Sequence, residues 1–203
     1  MRNMGVYMAT KTLPETYCLA EKIALTKNKR LAVGMNLATL PILVLFIVGF
    51  IAMYAPKAGQ SHVFTIQFFP LVLCILGIVI IIIVHELVHG IFIKCFAKAK
   101  VQYAFHGVAA SAGSPDYYFS KKEYTIIALA PFVIINSILA IVMPFLHGAA
   151  FMVVYCVLAF HVTGCVGDIY VMLKLFKYQS DTLIRDSGPE MEFYVPAEIK
   201  GAV

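Results

Sequence analysis

Five consecutive residues, His85-Glu86-Leu87-Val88-His89, carry the side chains with the most distinctive chemistry in this chain of 203 residues. Residues i and i+4 share one face of a helix, so both imidazoles can bind one metal ion. Glu86 is offset by about a third of a turn and can reach a water held by that metal. The spacing predicts a zinc site with His85 and His89 as ligands and Glu86 as the general base of a hydrolysis.

The residues around this motif are apolar. From Val63 to Val84 there is no charged residue, and the first lysine after the motif is Lys94. Ionisable groups are costly in hydrocarbon unless they are paired or bind a metal, so their presence in such a segment indicates function.

The composition predicts an all-α integral membrane protein. Hydrophobic residues make up 61% of the chain and charged residues 13%, with a mean hydropathy of +0.86. A membrane-spanning helix needs about 20 apolar residues. We expect a single membrane domain over residues 1–203, with four transmembrane helices at about 31–54, 68–93, 124–146 and 149–173.

The positive charges indicate how the helices cross the membrane. The net charge is +5, but the lysines and arginines flank the hydrophobic segments and form no basic stripe, which argues against a nucleic-acid partner. They concentrate in residues 1–30, 94–123 and 174–203. The positive-inside rule therefore predicts a multi-pass protein of the cell membrane, in contact with the lipid bilayer, with both termini and the 94–123 loop in the cytoplasm.

Asp168 is the predicted third metal ligand. It is the only acidic residue in the other three predicted helices, and it lies six residues before Lys174, as His89 lies five before Lys94. At a rise of about 1.5 Å per residue, both are roughly 7–9 Å from a cytoplasmic helix end. Two histidines and a carboxylate are a standard zinc set, which predicts a zinc site between the second and fourth helices. Alternatively, Asp168 caps a helix or pairs with a lysine.

Three further residues in the helices invite a role. His161, two turns before Asp168, is too distant to bind the same ion, and is either a partner of the site or a core histidine. Asn136 could donate to the oxyanion of a tetrahedral intermediate or contact the substrate, or it forms a hydrogen bond between helices. Pro131 could kink the third helix and free carbonyl groups.

The 94–123 loop has the pattern of a small β-hairpin. Val101–Phe105 alternates as a strand does, whereas Ser111–Pro115 has the composition of a turn. Such a strand could hold an extended substrate or be an ordinary surface hairpin. His106 and Asp116 are alternative metal ligands. In the tail, the alternating run Met191–Val195 predicts either a short strand or a partly disordered end.

These motifs together resemble a known family. His85–Gly90, the Ala130-Pro131 helix and the Gly167-Asp168 helix are similar to the Putative zincin peptidase family of small bacterial membrane proteins, as is the stretch from Leu13 to Leu25. More distantly they resemble site-2 proteases, whose ligand aspartate lies in a Leu-Asp-Gly pattern that Gly167-Asp168-Ile169 does not match. The resemblance implies a zinc metalloprotease that cleaves protein or peptide substrates near the cytoplasmic face.

The sequence leaves three functional hypotheses. The first is a membrane-embedded zinc endopeptidase. The second is a non-proteolytic metal-binding membrane protein, such as a zinc transporter or sensor, which requires a polar path across the bilayer. The third is a scaffold that keeps a decayed site and binds no stoichiometric zinc. The sequence does not determine the substrate or the oligomeric state.

Overall fold

The computed structural model of the protein describes residues 9–24, 28–54, 68–98, 100–106 and 109–197. Residues 55–67, which connect the first two predicted helices, lie outside the described residues, as does part of the connection between the strands of the predicted hairpin. Within the described part the elements are helices that carry long apolar surfaces and strands that gather at one end of them.

Four helical spans are long and apolar enough to cross a membrane, as the sequence predicts. Helix α1 covers Lys29–Tyr54 and helix α2 covers Phe68–Phe96. Helix α3 covers Lys121–Val142 and is followed by a 3-10 turn, Met143–Phe145. The fourth span consists of α4, Gly148–Gly164, and α5, Val166–Phe176.

The start of α3 and the break between α4 and α5 have local causes. The Ser120 side chain accepts from the backbone N–H of Glu123, and the Glu123 carboxylate accepts from the N–H of Ser120, a capping box that fixes the helix start. At Cys165 the backbone leaves the helical region, with φ −74° and ψ 2°. The fourth span is therefore not the single helix expected over 149–173, and Asp168 lies in the first turn of α5.

The prediction of an all-α fold is wrong, because four strands form an antiparallel sheet. Strands β1 (Tyr17–Ala24), β4 (Tyr118–Ser120), β5 (Leu183–Asp186) and β6 (Glu190–Pro196) are arranged in the order β1-β6-β5-β4. Burial alternates along β5 and β6, so one face of each strand is covered. Of the two alternatives that the sequence left open for the tail, the structure has the short strand, within β6. Strand β1 went unpredicted because its pairing partner lies at the opposite end of the sequence.

The sheet joins three segments that the lysine distribution assigned to one side of the membrane. Strand β1 precedes the first helix, β4 lies between α2 and α3, and β5 and β6 follow the last helix. Phe119, Ile184 and Phe193 of the sheet are fully buried against the ends of the helices. The helical residues of this cluster include Ile93, Ile127, Val171 and Leu175. A single core thus binds the sheet to the end of the helix bundle.

The predicted hairpin is present between α2 and α3. Strand β2 (Gln102–His106) pairs in antiparallel fashion with β3 (Ala109–Gly113). The expectation of a turn over Ser111–Pro115 is wrong for its first three residues, because β2 pairs with them and extends the strand. A Cβ on Gly113 would lie 2.4 Å from the backbone nitrogen of Gly188. Only glycine therefore allows β3 to meet the turn between β5 and β6 so closely.

Candidate metal centre

The structure brings His85, His89 and Asp168 together at the end of the helix bundle. The Nε2 atoms of the two histidines are 3.1 Å apart. Oδ2 of Asp168 is 3.2 Å from Nε2 of His85, and its Oδ1 is 3.6 Å from Nε2 of His89. All three side chains are largely buried, with at most 20% of their surface exposed. These three residues form a group whose ligand atoms lie close enough to hold one metal ion.

Each histidine uses its other ring nitrogen in a separate hydrogen bond. Nδ1 of His89 is 2.9 Å from the carbonyl oxygen of Ile127, and because that oxygen only accepts, Nδ1 carries the proton. Nδ1 of His85 is 3.1 Å from Nε2 of His161, whose Nδ1 is 2.7 Å from Oδ1 of Asn136. With the amide oxygen as acceptor, His161 donates from Nδ1 and accepts from His85 at Nε2.

The donor set fits a zinc ion. With the protons on Nδ1, the Nε2 atoms of His85 and His89 present lone pairs to each other and to a carboxylate. Such a cluster of lone pairs is repulsive unless a cation lies among them. Zinc bonds of about 2.0–2.1 Å in a tetrahedral arrangement place ligand atoms about 3.3 Å apart, close to the observed 3.1, 3.2 and 3.6 Å.

Glu86 adjoins this group but is positioned differently. Its carboxylate accepts a hydrogen bond from the backbone of Ala112 in β3, while its buried Oε2 has no hydrogen-bond partner among the described residues. Glu86 lines two neighbouring cavities of about 210 Å³ and about 90 Å³. The smaller cavity also contacts His89 and Asp168. A carboxylate oxygen is therefore available at the edge of a space that adjoins the metal-binding group.

A second group of possible ligands shares one histidine with the first. His85, His161 and Cys165 also lie close enough to hold an ion, with the Cys165 sulfur 4.0 Å from Nδ1 of His85 and 3.9 Å from Nε2 of His161. Nδ1 of His85 and Nε2 of His161 are already joined by a hydrogen bond, so this pair of nitrogens is not free to bind an ion. We therefore favour the group that contains Asp168.

The remaining predicted residues are distributed as follows. His161 is buried and contacts His85, so it is a partner of the site and not an isolated core histidine. Asn136 contacts His161, and its role toward an oxyanion or substrate stays a prediction. Asp116 is exposed and belongs to neither ligand group. His106 lies in β2, and its side chain is outside the described part of the chain.

Two residues beside the site were missed by the sequence reasoning. The Tyr124 hydroxyl donates to Oδ2 of Asp186 at 2.7 Å, and the backbone N–H of Gly188 donates to Oδ1 at 2.7 Å. Both side chains line the smaller cavity. Burial raises the pKa of Asp186 to about 6, although both hydrogen bonds oppose the rise. The only sequence signal was the turn that follows Asp186, Ser187-Gly188-Pro189.

Comparison with known families covers the same part of the chain. The model of a family described as "Putative zincin peptidase" matches residues 78–183, which include the histidine motif, α3 and Asp168. The chain belongs to the Putative zincin peptidase family. Membership supports a metallopeptidase whose metal is zinc. No curated protein and no solved structure matches the chain. Strands β1 and β6 lie outside the match, so the family region contains the candidate site but not the whole sheet.

Proposed function

We propose that the protein is a membrane-embedded zinc metalloprotease that hydrolyses peptide bonds near the cytoplasmic face. The observation that carries the proposal is the convergence of three lone-pair donors, His85, His89 and Asp168, beside the available carboxylate of Glu86. Membership of a zincin peptidase family supports the same chemistry. If the histidines had only a structural role, the buried Oε2 of Glu86 would be expected to have a hydrogen-bond partner, because buried polar atoms are normally paired.

The chain's own residues have distinct roles in this reaction. His85, His89 and Asp168 hold the ion, which when bound polarises the scissile carbonyl and lowers the pKa of its water to about 7. Glu86 takes a proton from the attacking water and passes it to the leaving amine, so that its carboxylate is regenerated. The hydrogen bond from the Ala112 backbone holds one side of that carboxylate and leaves Oε2 for the proton.

The larger cavity supports an apolar substrate. It extends from Glu86 between α2 and α4, and most of its lining is apolar, including Ile81, Ile82 and Phe160. Its volume of about 210 Å³ suits a large aliphatic or aromatic side chain. We therefore expect cleavage next to an apolar residue, as in a segment drawn from a membrane helix.

Among the described residues β3 pairs with β2 alone, and its other edge supports binding of the substrate backbone. Ala112 directs its backbone toward Glu86, on the side of β3 away from β2. Alternate residues of a strand present their backbone groups on the same edge, so Ala110 faces the same way and lines both cavities. An extended peptide that pairs with this edge would lie along the cleft beside Glu86.

The location of the site supports a supply of water. The metal-binding group lies at the sheet end of the bundle, the end with the lysine-rich segments, which the positive-inside rule assigns to the cytoplasm. His85, His89 and Asp168 retain 11–20% exposure of their side chains. We infer that water reaches the ion from the cytoplasmic side while the substrate lies partly in the bilayer.

The decisive experiment uses Glu86→Gln in purified protein. We expect the variant to retain stoichiometric zinc and to lose cleavage of casein in detergent micelles by at least about 100-fold, since general-base catalysis contributes 10²–10⁴-fold. Wild-type protein treated with a chelator should be equally inactive and recover with added zinc.

Two results would count against the proposal. Full casein cleavage by Glu86→Gln would exclude Glu86 as the base. Zinc uptake into liposomes containing wild-type protein, without proteolysis, would favour a transporter.

A further inference from the structure

A histidine that binds a metal through Nε2 must carry its proton on Nδ1, and this requires an acceptor at Nδ1. In an apolar helix bundle such acceptors are scarce, because backbone carbonyls are used within the helices. Both histidines of the motif nevertheless have one, and both acceptors depend on helix α3, which contributes no ligand to the ion.

Pro131 provides the acceptor for His89. In an α-helix the carbonyl of Ile127 would accept from the N–H of residue 131, but proline has no N–H, and its ring also pushes that carbonyl away. The freed oxygen of Ile127 is the atom that lies 2.9 Å from Nδ1 of His89. Pro131 is fully buried and Ile127 is 1% exposed, so water cannot replace this bond.

Asn136 provides the acceptor for His85 through His161. Its Oδ1 accepts from Nδ1 of His161 at 2.7 Å, which leaves Nε2 of His161 as an acceptor 3.1 Å from Nδ1 of His85. His161 is 4% exposed. Asn136 fixes the direction of both hydrogen bonds, because its amide oxygen can only accept and His161 must therefore donate to it.

We propose that α3 is the positioning element of the metal site: Pro131 and Asn136 hold His89 and His85 in the tautomer that binds zinc through Nε2. This rests on the proposed zinc site. His161 transmits the effect of Asn136 and is not itself a ligand. The sequence left the roles of Pro131 and Asn136 open, and this proposal gives both residues the same role, which is to fix the tautomer of a ligand histidine.

The first test replaces Pro131 with alanine. Pro131→Ala restores an N–H that competes for the Ile127 carbonyl, and we expect zinc affinity to fall about 10–100-fold, as for loss of other hydrogen-bond partners of metal ligands. The matched control is Pro41→Ala, the same change within α1, which should leave zinc affinity unchanged. Affinity is measured by chelator competition, and thermal unfolding of the zinc-free proteins reports folding.

The thermal measurement separates positioning from a structural role. Removal of a proline from a helix interior favours the helix, so zinc-free Pro131→Ala should be at least as stable as wild type while binding zinc less well. If Pro131→Ala lost affinity only in proportion to a loss of stability, Pro131 would be merely structural and the proposal would be overturned.

The second test compares two substitutions of Asn136. Asn136→Asp keeps an acceptor for His161 and should bind zinc within about threefold of wild type, whereas Asn136→Leu removes it and should lose about 10–100-fold. Tyr155→Phe is the control, since it removes another hydrogen bond between helices, from the Tyr155 hydroxyl to the Phe46 carbonyl. Its zinc affinity should be that of wild type.

A third test asks whether His161 acts through His85 or binds the zinc ion itself. The zinc coordination shell, measured by X-ray absorption, should contain two imidazoles in wild type and in His161→Phe. Three imidazoles in wild type, or equal zinc affinity for wild type, Pro131→Ala and Asn136→Leu, would overturn the proposal. Wild-type protein that binds no stoichiometric zinc would overturn the proposed function as well, so the two failures are distinguishable.

Discussion

His85 and His89 lie one helical turn apart, and the i, i+4 spacing alone makes their side chains neighbours. The spacing does not explain why both histidines contact Asp168. That contact spans about 80 residues of sequence and depends on the packing of α2 against the fourth span. At the residue scale, the site is a small set of lone pairs with fixed directions. Its chemistry follows from which nitrogen of each imidazole faces inward.

Asp168 and Cys165 can be tested against each other. Asp168→Ala removes a proposed ligand and should weaken zinc binding by more than the roughly 10–100-fold expected for loss of a ligand's hydrogen-bond partner. Cys165→Ser should leave zinc affinity unchanged, although Cys165 is fully buried near His85. Isothermal titration with zinc measures both. The reverse ranking would move the ion to the group of His85, His161 and Cys165.

Asp186 predicts a specific dependence of stability on pH. Its pKa is about 6 in the fold against 3.8 for the free residue, so the folded state keeps the proton while the unfolded state loses it. Stability should therefore fall by about 2–3 kcal/mol between pH 4 and 6 and change no further above that range. Asp186→Asn should remove this component when unfolding of zinc-free protein is followed across pH.

Asp116→Asn is the matched control, because Asp116 is exposed. Tyr124, His89 and Asp168 lie near Asp186 and remain unchanged in all three proteins. Parallel pH profiles for wild type and Asp186→Asn would contradict the assignment of this component to Asp186.

At the element scale, the hairpin contacts both Glu86 of α2 and the turn between β5 and β6. The backbone N–H of Ser114 donates to the carbonyl of Asp186 at 2.8 Å, and Gly113 closely contacts the backbone of Gly188. These contacts attach the end of β3 to the sheet, while Ala112 contacts Glu86 of α2. The position of the hairpin thus depends on the C-terminal tail.

Gly113→Ala should separate these two elements. The added Cβ would lie 2.4 Å from the nitrogen of Gly188, so backbone must move, and such overpacking typically costs about 1–3 kcal/mol. We expect reduced thermal stability and reduced casein cleavage with little change in zinc affinity, because the three ligands lie on α2 and α5. Gly34→Ala is the control, since a Cβ there meets nothing within 4 Å. Equal behaviour of the two variants would refute the proposed contact.

At the scale of the whole molecule, one sheet ties the N-terminal segment, the loop between α2 and α3, and the C-terminal tail to the same end of the bundle. Nζ of Lys174 forms a salt bridge with the Glu21 carboxylate at 2.6 Å, and the Tyr178 hydroxyl donates to the same carboxylate at 2.8 Å. These contacts link β1 to the end of α5. The candidate site adjoins this sheet, since Asp186 and Met191 line the same cavity as His89 and Asp168.

The proposed orientation predicts which residues face the cytoplasm. In a variant without native cysteines, a single cysteine at Lys11 or Lys98 should react with a membrane-impermeant maleimide only in inverted vesicles. A cysteine at Gln60, between the first two predicted helices and therefore on the outer side in this topology, should react only in intact cells. Labelling of Lys98→Cys and Gln60→Cys from the same side would contradict the assignment of four spans with this polarity.

The sequence alone determined the local and compositional features. Four apolar segments predicted four spans because crossing hydrocarbon requires length and hydrophobicity, and both can be counted in a sequence. The motif His85-Glu86-Leu87-Val88-His89 predicted two ligands and a base because a helix fixes the spacing of its own side chains. The match in depth between His89 and Asp168 followed from the same regularity.

The tertiary structure decided what depends on distant pairing. Strand β1 pairs with β6 across most of the chain, and neither strand has a helical or transmembrane signal that reveals its partner. The acceptor for His89 is the backbone carbonyl of Ile127 in α3, a contact between two helices that only their packing creates. Pro131 and Asn136 were visible in the sequence, but which atoms they serve depends on how α3 packs against α2 and α4, because hydrogen bonds act only over short distances and in fixed directions.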